Sequence, residues 1–347
     1  MRIYLLDALR FIASISVVLF HYVARYTWDE PIGSSFLNSV SIVTQFGYLG
    51  VPLFFMISGY VILRSAMNRS VKDFLISRFI RLYPAYWIAI VFTLSVVIFV
   101  NTGSIVEVYS DFGWRDFFAN LTMLQSYVGI MHVDGVYWTL IVELKFYIFI
   151  AILITLKILP YYRCWVTIWL ACTVMYLLVG QPFFMGMIIN PYYSPFFIAG
   201  VLFCLIHNNI GSKPYWFFLL AISFLCAADT VKDNVGSFIP EPSLVETYFA
   251  ILICGLFFLI FLALSMGRLN MKKSTIWMTL GAMTYPLYLI HNVAGKVLID
   301  AFSAYISVEV SIAIVIVVML ILSYLMWRYL EQNIAGQLKK HLLGAFK

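Results

Sequence analysis

The sequence predicts an all-α, polytopic integral membrane protein with about ten transmembrane helices, and three observations lead there. Of its 347 residues, 63% are hydrophobic and only 11% are charged. The mean hydropathy is +0.95. The apolar residues gather in runs long enough to cross a bilayer, with most charges confined to the gaps between them. A soluble domain holds ~45–50% apolar and ~25% charged residues, so both an ordinary cytosolic enzyme and a disordered chain are excluded. At ~20 residues per span, ten spans with short connections use up nearly the whole length, which predicts one integral domain over 1–335 and a basic tail over 336–347. The formal charge of +6 does not point to nucleic acid, because Lys and Arg form no single patch and sit between the apolar runs.

Taken in order, the candidate helices run over 3–24, 47–66, 83–101, 138–156, 164–181, 191–207, 215–230, 246–265, 276–298 and 306–327. The first could pass for a signal peptide, since Phe11 to Phe20 is a short apolar core. Asp7 precedes it, however, and no A-x-A site follows, so it reads as an uncleaved span. The second carries Ser58 and Gly59 mid-span, small residues that let helices or a ligand approach closely. Charge supports the register of the rest. The connection after the second span holds Arg64, Arg69, Lys72, Arg78 and Arg81 against Asp73, and the next holds Glu107, Asp111, Asp116 and Asp134 against Arg115. By the positive-inside rule the first is cytoplasmic and the second is not. The alternation continues through Lys157 and Arg163, the uncharged 182–190, Lys213, then Asp229, Asp233 and Glu241 against Lys232, then Arg268, Lys272 and Lys273, then Asp300 and Glu309, and finally Lys339, Lys340 and Lys347. Both termini are then cytoplasmic. Counting Phe117–Met131 as a further span would reverse every later loop, so it reads as an interfacial or re-entrant piece of the long outer loop. The five cysteines show no CxxC or Cys/His spacing, which supports neither a disulfide framework nor a metal site.

Ionisable residues inside spans cost ~2.5–3.5 kcal/mol at mid-helix and are functional candidates by default. They are Asp7, Arg10 and His21 in the first span, Glu143 and Lys145 in the fourth, and His291 and Lys296 in the ninth. Arg10 and His21 lie eleven residues apart, which at ~100° per residue returns to within ~20° of one helix face, ~16 Å along the axis. Asp7 can pair with Arg10 from three residues earlier. A packed histidine and an interfacial ion pair are the plainer explanation, but the shared face favours a polar path from the cytoplasmic mouth. Arg78 and Arg81, at i and i+3, present forked donors suited to phosphate oxygens, although lipid-headgroup anchoring would use the same residues. Glu143 needs a partner, either a substrate hydroxyl or a base such as His21 or His291. Lys145, two residues on, points elsewhere. His291 follows a helix carrying Pro286, which should leave backbone carbonyls available nearby.

These pieces, in this order, resemble the membrane acyltransferase 3 family. Leu6-Asp7-Ala8-Leu9-Arg10 with Leu19-Phe20-His21 is similar to the family's opening helix, including its Arg, ten residues, His pattern. Phe54-Phe55-Met56-Ile57-Ser58-Gly59-Tyr60 is similar to its FF-x-x-SG-[FY] element, and Arg78-Phe79-Ile80-Arg81 to its R-x-x-R stretch. Trp138-Thr139-Leu140 through Glu143, Phe146 and Tyr147 resembles W-[ST]-L-x-x-E-x-x-FY, and Tyr285 through His291 its late histidine motif. The Gly usual after the first arginine is Phe11 here, and many members carry a C-terminal hydrolase-like domain that does not follow the tenth span in this sequence.

The resemblance implies a multi-pass protein of the bacterial inner membrane that moves an acyl group, most often acetyl, from acyl-CoA to a hydroxyl of a glycan or lipid-linked glycan. Acyl-CoA is then a donor substrate, no cofactor is tightly bound, and membrane lipid is the remaining partner. Arg78, Arg81, Asp7 and Arg10 would hold the donor. His21 would serve as general base or transient acyl carrier, with Glu143 and His291 as further catalytic candidates. Two other readings stay open. Buried His, Glu and Arg also describe a proton-coupled carrier or flippase, although no internal repeat is visible. An unrelated class of membrane O-acyltransferases uses a late histidine, which here would have to be His291.

Overall fold

The computed structural model describes residues 2–29, 34–100, 108–180, 186 and 189–334, with side chains to 330. The predicted basic tail, Glu107 and most of the 182–190 connection lie outside the described residues. The described elements are helical throughout, with no strand among them. Among the described residues eight helical stretches are long and apolar enough to cross a membrane, so the protein is polytopic and all-α.

The helices are α1 (Tyr4–Asp29), α2 (Ser35–Ala66), α3 (Val71–Val100), α4 (Trp114–Leu121), α5 (Trp138–Thr155), α6 (Tyr162–Val179), α7 (Ser194–His207), α8 (Lys213–Asn234), α9 (Leu244–Ser265), α10 (Thr275–Ile290), α11 (Asn292–Ser303) and α12 (Val308–Met326). Two departures from the sequence expectation matter. The third span begins at Val71 and not near 83, so the helical turn expected to carry Arg78 and Arg81 is continuous with the span. The expected ninth span is two helices, and the break falls at His291, because α10 continues through Pro286 to Ile290. Helix α7 matches the sixth expected span but has only 14 residues.

The chain divides into two compact units, each drawn from three separate stretches of sequence. The first unit comprises the described start of the chain to Ala13, Tyr48–Leu75 and Val142–Ser274. Its centre is the crossing of α2 and α7, where glycines let two backbones touch. A Cβ on Gly59 would lie 2.2 Å from the Phe197 carbonyl oxygen, and one on Gly200 would lie 2.0 Å from that of Met56. Neither atom can move without moving a helix. Around this contact Phe146 packs on Phe197 and stacks on Trp169. The buried hydroxyls of Thr173, Ser194 and Ser223 are satisfied within the unit, the first two bonded to each other at 2.7 Å and the third donating to the Pro195 carbonyl.

The second unit comprises Ser14–Gly47, Ile76–Ile141 and the described chain from Thr275 onward. Helix α4 has eight residues, ~12 Å, and cannot cross a bilayer, so the Phe117–Met131 segment is not a span. Instead α3 holds its C-terminal end. Tyr86, Trp87 and Tyr83 donate to the carbonyls of Asn120, Leu121 and Thr122 at 2.7, 2.9 and 3.1 Å. A helix's last carbonyls have no intrahelical partner, and three aromatic donors supply one here. The same unit contains the histidine-bearing part of α1, where residues Phe20–Ala24 form a π-turn.

Candidate active site

Each unit brings a set of the expected residues together. In the first, Glu143 is held from two directions. Ser58 Oγ and Tyr147 Oη both donate to its Oε1 at 2.5 Å. Tyr147 is one helical turn along α5, as an i+4 donor should be, whereas Ser58 comes from α2. One carboxylate oxygen thus joins the SG element to the W-T-L-x-x-E-x-x-FY element, which gives both motifs a single physical purpose. Among the described residues Oε2 has no donor, so it can accept from a hydroxyl that is not part of the protein. Lys145 does point elsewhere, and its Nζ donates to Asn190 Oδ1 at 3.1 Å.

Also in the first unit, Asp7 is buried and lies 3.8 Å from Arg10 Nη1, which realises the expected i, i+3 pair. Its closer partner is Arg2, whose Nε and Nη2 donate to the two carboxylate oxygens at 2.6 and 3.1 Å. Helical spacing could not reveal Arg2, because it precedes the helix and folds back across five positions.

In the second unit His21 and His291 meet, with ring centroids 5.3 Å apart. His21 stands on the π-turn, a geometry that recurs at functional sites because it re-aims side chains without ending the helix. Its ring is half-buried, with no hydrogen-bond partner among the described residues. His291 is fully buried, and its Nδ1 lies 2.8 Å from the Tyr288 carbonyl oxygen. A carbonyl only accepts, so Nδ1 carries the proton and Nε2 presents a lone pair. That Nε2 is buried and has no partner among the described residues. A buried polar atom left unpaired is costly and therefore points to a ligand or a proton.

The break that carries His291 is clamped on both sides. Tyr22, next to His21, donates to the His291 carbonyl, and Tyr137 donates to that of Leu289 at 3.1 Å. Asp134 accepts from Asn292 Nδ2 and the Val293 amide at 2.8 Å each, and from the Val136 amide at 3.1 Å. Burial pushes the Asp134 carboxyl up to about 6, against the opposing pull of those N–H groups and of Lys296. Sequence reasoning counted Asp134 only as an outer-loop charge. Its one sequence signal is local, an Asp placed to cap the turn before Trp138. Arg78 and Arg81 are half-buried on α3 in this same unit, and Arg78 Nε donates to Ser77 Oγ at 3.3 Å.

The chain is 25% identical over 158 residues to the peptidoglycan O-acetyltransferase OatA of Listeria monocytogenes serovar 1/2a, covering 41% of this chain and 22% of that protein. It is 27% identical over 187 residues to the acyltransferase MdmB of Streptomyces mycarofaciens, covering 51% of this chain and 45% of that one. The matched part is thus less than half the length of either relative. No solved structure matches. The acyltransferase domain of the acyltransferase 3 family matches residues 3–328, an interval that contains the histidine pair, the Glu143 junction and both arginine sets, and the chain therefore belongs to that family.

Proposed function

We propose that the protein is a membrane O-acyltransferase that moves an acyl group, acetyl in the simplest case, from acyl-CoA to a hydroxyl of a glycan in the cell envelope. The observation that carries this reading is the His21–His291 pair, one ring half-buried on a π-turn and the other locked in a single tautomer with an unpaired Nε2.

Acyl transfer to an alcohol needs a base for the hydroxyl proton at the moment the oxygen attacks the thioester carbon. His21 takes that proton, the O–C bond forms, the C–S bond breaks, and the proton leaves on the CoA sulfur. His291 Nε2 supplies a second acceptor beside that ring. Arg78 and Arg81 suit the phosphates of the donor, because a guanidinium fork matches phosphate oxygens in pairs. Arg10, held by Asp7, is a further candidate for the donor, and the open Oε2 of Glu143 is a candidate acceptor for a substrate hydroxyl. The family membership, the names of the two relatives and the apolar helices support a multi-pass protein of the bacterial inner membrane with a cytoplasmic donor.

The test is release of CoA from acetyl-CoA by purified protein in lipid nanodiscs, together with mass spectrometry of cell-surface glycans from cells with and without the protein. An acetyl increment that depends on the protein is expected. Glycans identical in mass, together with no CoA release, would overturn the reading and favour a carrier.

A further inference from the structure

Two polar stripes leave the histidine pair within the second unit. On α1, Arg25 and Asp29 follow His21 at four-residue steps, and on α11, Lys296 and Asp300 follow Asn292 at the same step. Residues so spaced share a helix face. The stripes are joined side to side. Asp29 accepts from Lys296 Nζ at 3.1 Å and lies 3.4 Å from Arg25 Nε, and Tyr26 Oη donates to Asp300 Oδ1 at 2.7 Å.

Structural stabilisation does not account for this cluster. The Lys296 side chain is only 13% exposed, while its carboxylate partner is 47% exposed. An ion pair open to solvent on one side contributes ~0–1 kcal/mol, and taking an ammonium largely out of water costs several times that. Fold stability alone would be better served by an apolar residue at 296. The charges also balance, with two cations and two carboxylates alternating as donors and acceptors. An anionic ligand would meet the two carboxylates. A row of hydroxyls, each able both to donate and to accept, matches the alternation.

We infer that Arg25, Asp29, Lys296 and Asp300 form the acceptor subsite and bind the hydroxyls of an uncharged, polyhydroxylated sugar one helical turn from the histidine pair. The inference rests on the acyltransferase reading and extends it to the chemical class of acceptor. One sugar hydroxyl gives its proton to His21 as its oxygen bonds to the acyl carbon and CoA leaves. The neighbouring hydroxyls stay on Asp29 and Lys296.

The experiment measures CoA release from acetyl-CoA by the full-length protein in nanodiscs, alone, with methyl glucoside, and with methyl glucuronide as an anionic counterpart. The glucoside should accelerate release more than the glucuronide, and the ratio of release with and without glucoside should fall at least tenfold toward one in Asp29→Asn and Lys296→Met. A greater acceleration by the glucuronide, a ratio unaltered in both variants, or release to water that neither glycoside accelerates would overturn the subsite. Should the variants fail to fold, the comparison of the two glycosides on the unaltered protein decides alone. Absence of CoA release under every condition would remove the acyltransferase reading itself, and the subsite with it.

Discussion

The imidazoles of His21 and His291, from opposite ends of the sequence, stand with ring centroids 5.3 Å apart, and the second ring has its proton fixed on Nδ1 by the Tyr288 carbonyl. General-base catalysis contributes ~10²–10⁴-fold. His21→Ala should therefore lower acyl transfer by at least ~10² while the protein reaches the membrane at normal abundance, and His291→Ala should lower it by a smaller factor. CoA release and immunoblotting of membranes provide the two readouts. An active His21→Ala protein at normal levels would exclude the proposed base. Full activity in His291→Ala would confine the chemistry to His21 and exclude a mechanism based on the late histidine.

Asp134 ties the break after His291 to the turn before α5 through three accepted hydrogen bonds. Removing the carboxylate in Asp134→Ala leaves buried N–H groups unpaired, at ~1–3 kcal/mol for such a group, and should lower the thermal midpoint and kcat together. The pH dependence has a definite sign. The folded carboxyl titrates at about 6, above the ordinary value of 3.8. Its contribution to stability is therefore fully present below the unfolded value and is lost as pH rises through the folded one. Relative to Asp134→Asn, the unaltered protein should lose stability between about pH 4 and 6, and the difference should be flat above that window. Thermal unfolding in detergent across pH 4–8 measures it, and a difference that grows with rising pH would contradict the assignment.

Ser58 and Tyr147 converge on one oxygen of Glu143. Hydrogen bonds to a charged acceptor contribute ~1.5–3 kcal/mol, so Ser58→Ala and Tyr147→Phe should each lower stability measurably. Combined, they should depart from additivity, because the two donors share one atom. In a Glu143→Gln background the two changes should cost less. Additive effects there and in the parent would show that the hydroxyls do not act through Glu143.

The arginines of α3 separate two roles by chemistry. Arg78→Lys keeps the charge and loses the fork, so the apparent KM for acyl-CoA should rise severalfold with little change in kcat. Steady-state kinetics against donor concentration tests this, and an unchanged KM would assign Arg78 to lipid anchoring.

Gly200 faces the Met56 carbonyl oxygen so closely that a Cβ would sit 2.0 Å from it. Gly200→Ala should prevent α2 and α7 from closing and leave little protein in the membrane, whereas Gly180→Ala, with open space around its Cβ, should cost only the strain of a positive φ of 68°. Membrane abundance of the two variants distinguishes backbone contact from conformational preference.

The sequence by itself determined the solvent of the protein, its helical and polytopic character, and the short motifs that mark its family. Hydropathy, charge sign and residue spacing act over one helix at a time, which is why Asp7 with Arg10, and the non-spanning character of Phe117–Met131, could be read from sequence spacing and charge. Only the tertiary structure decided that Ser58 completes Glu143, that His291 stands beside His21, that Arg2 is the nearer partner of Asp7, and that the ninth span breaks at His291 under the grip of Asp134. Each of these turns on which backbones pack together, and that is set by close approaches such as Gly59 on Phe197 and by buried polar groups seeking partners from distant segments. Small residues such as Ser58 and Gly59 mark where a close approach is possible, but which segment arrives there is not written in the local order of residues.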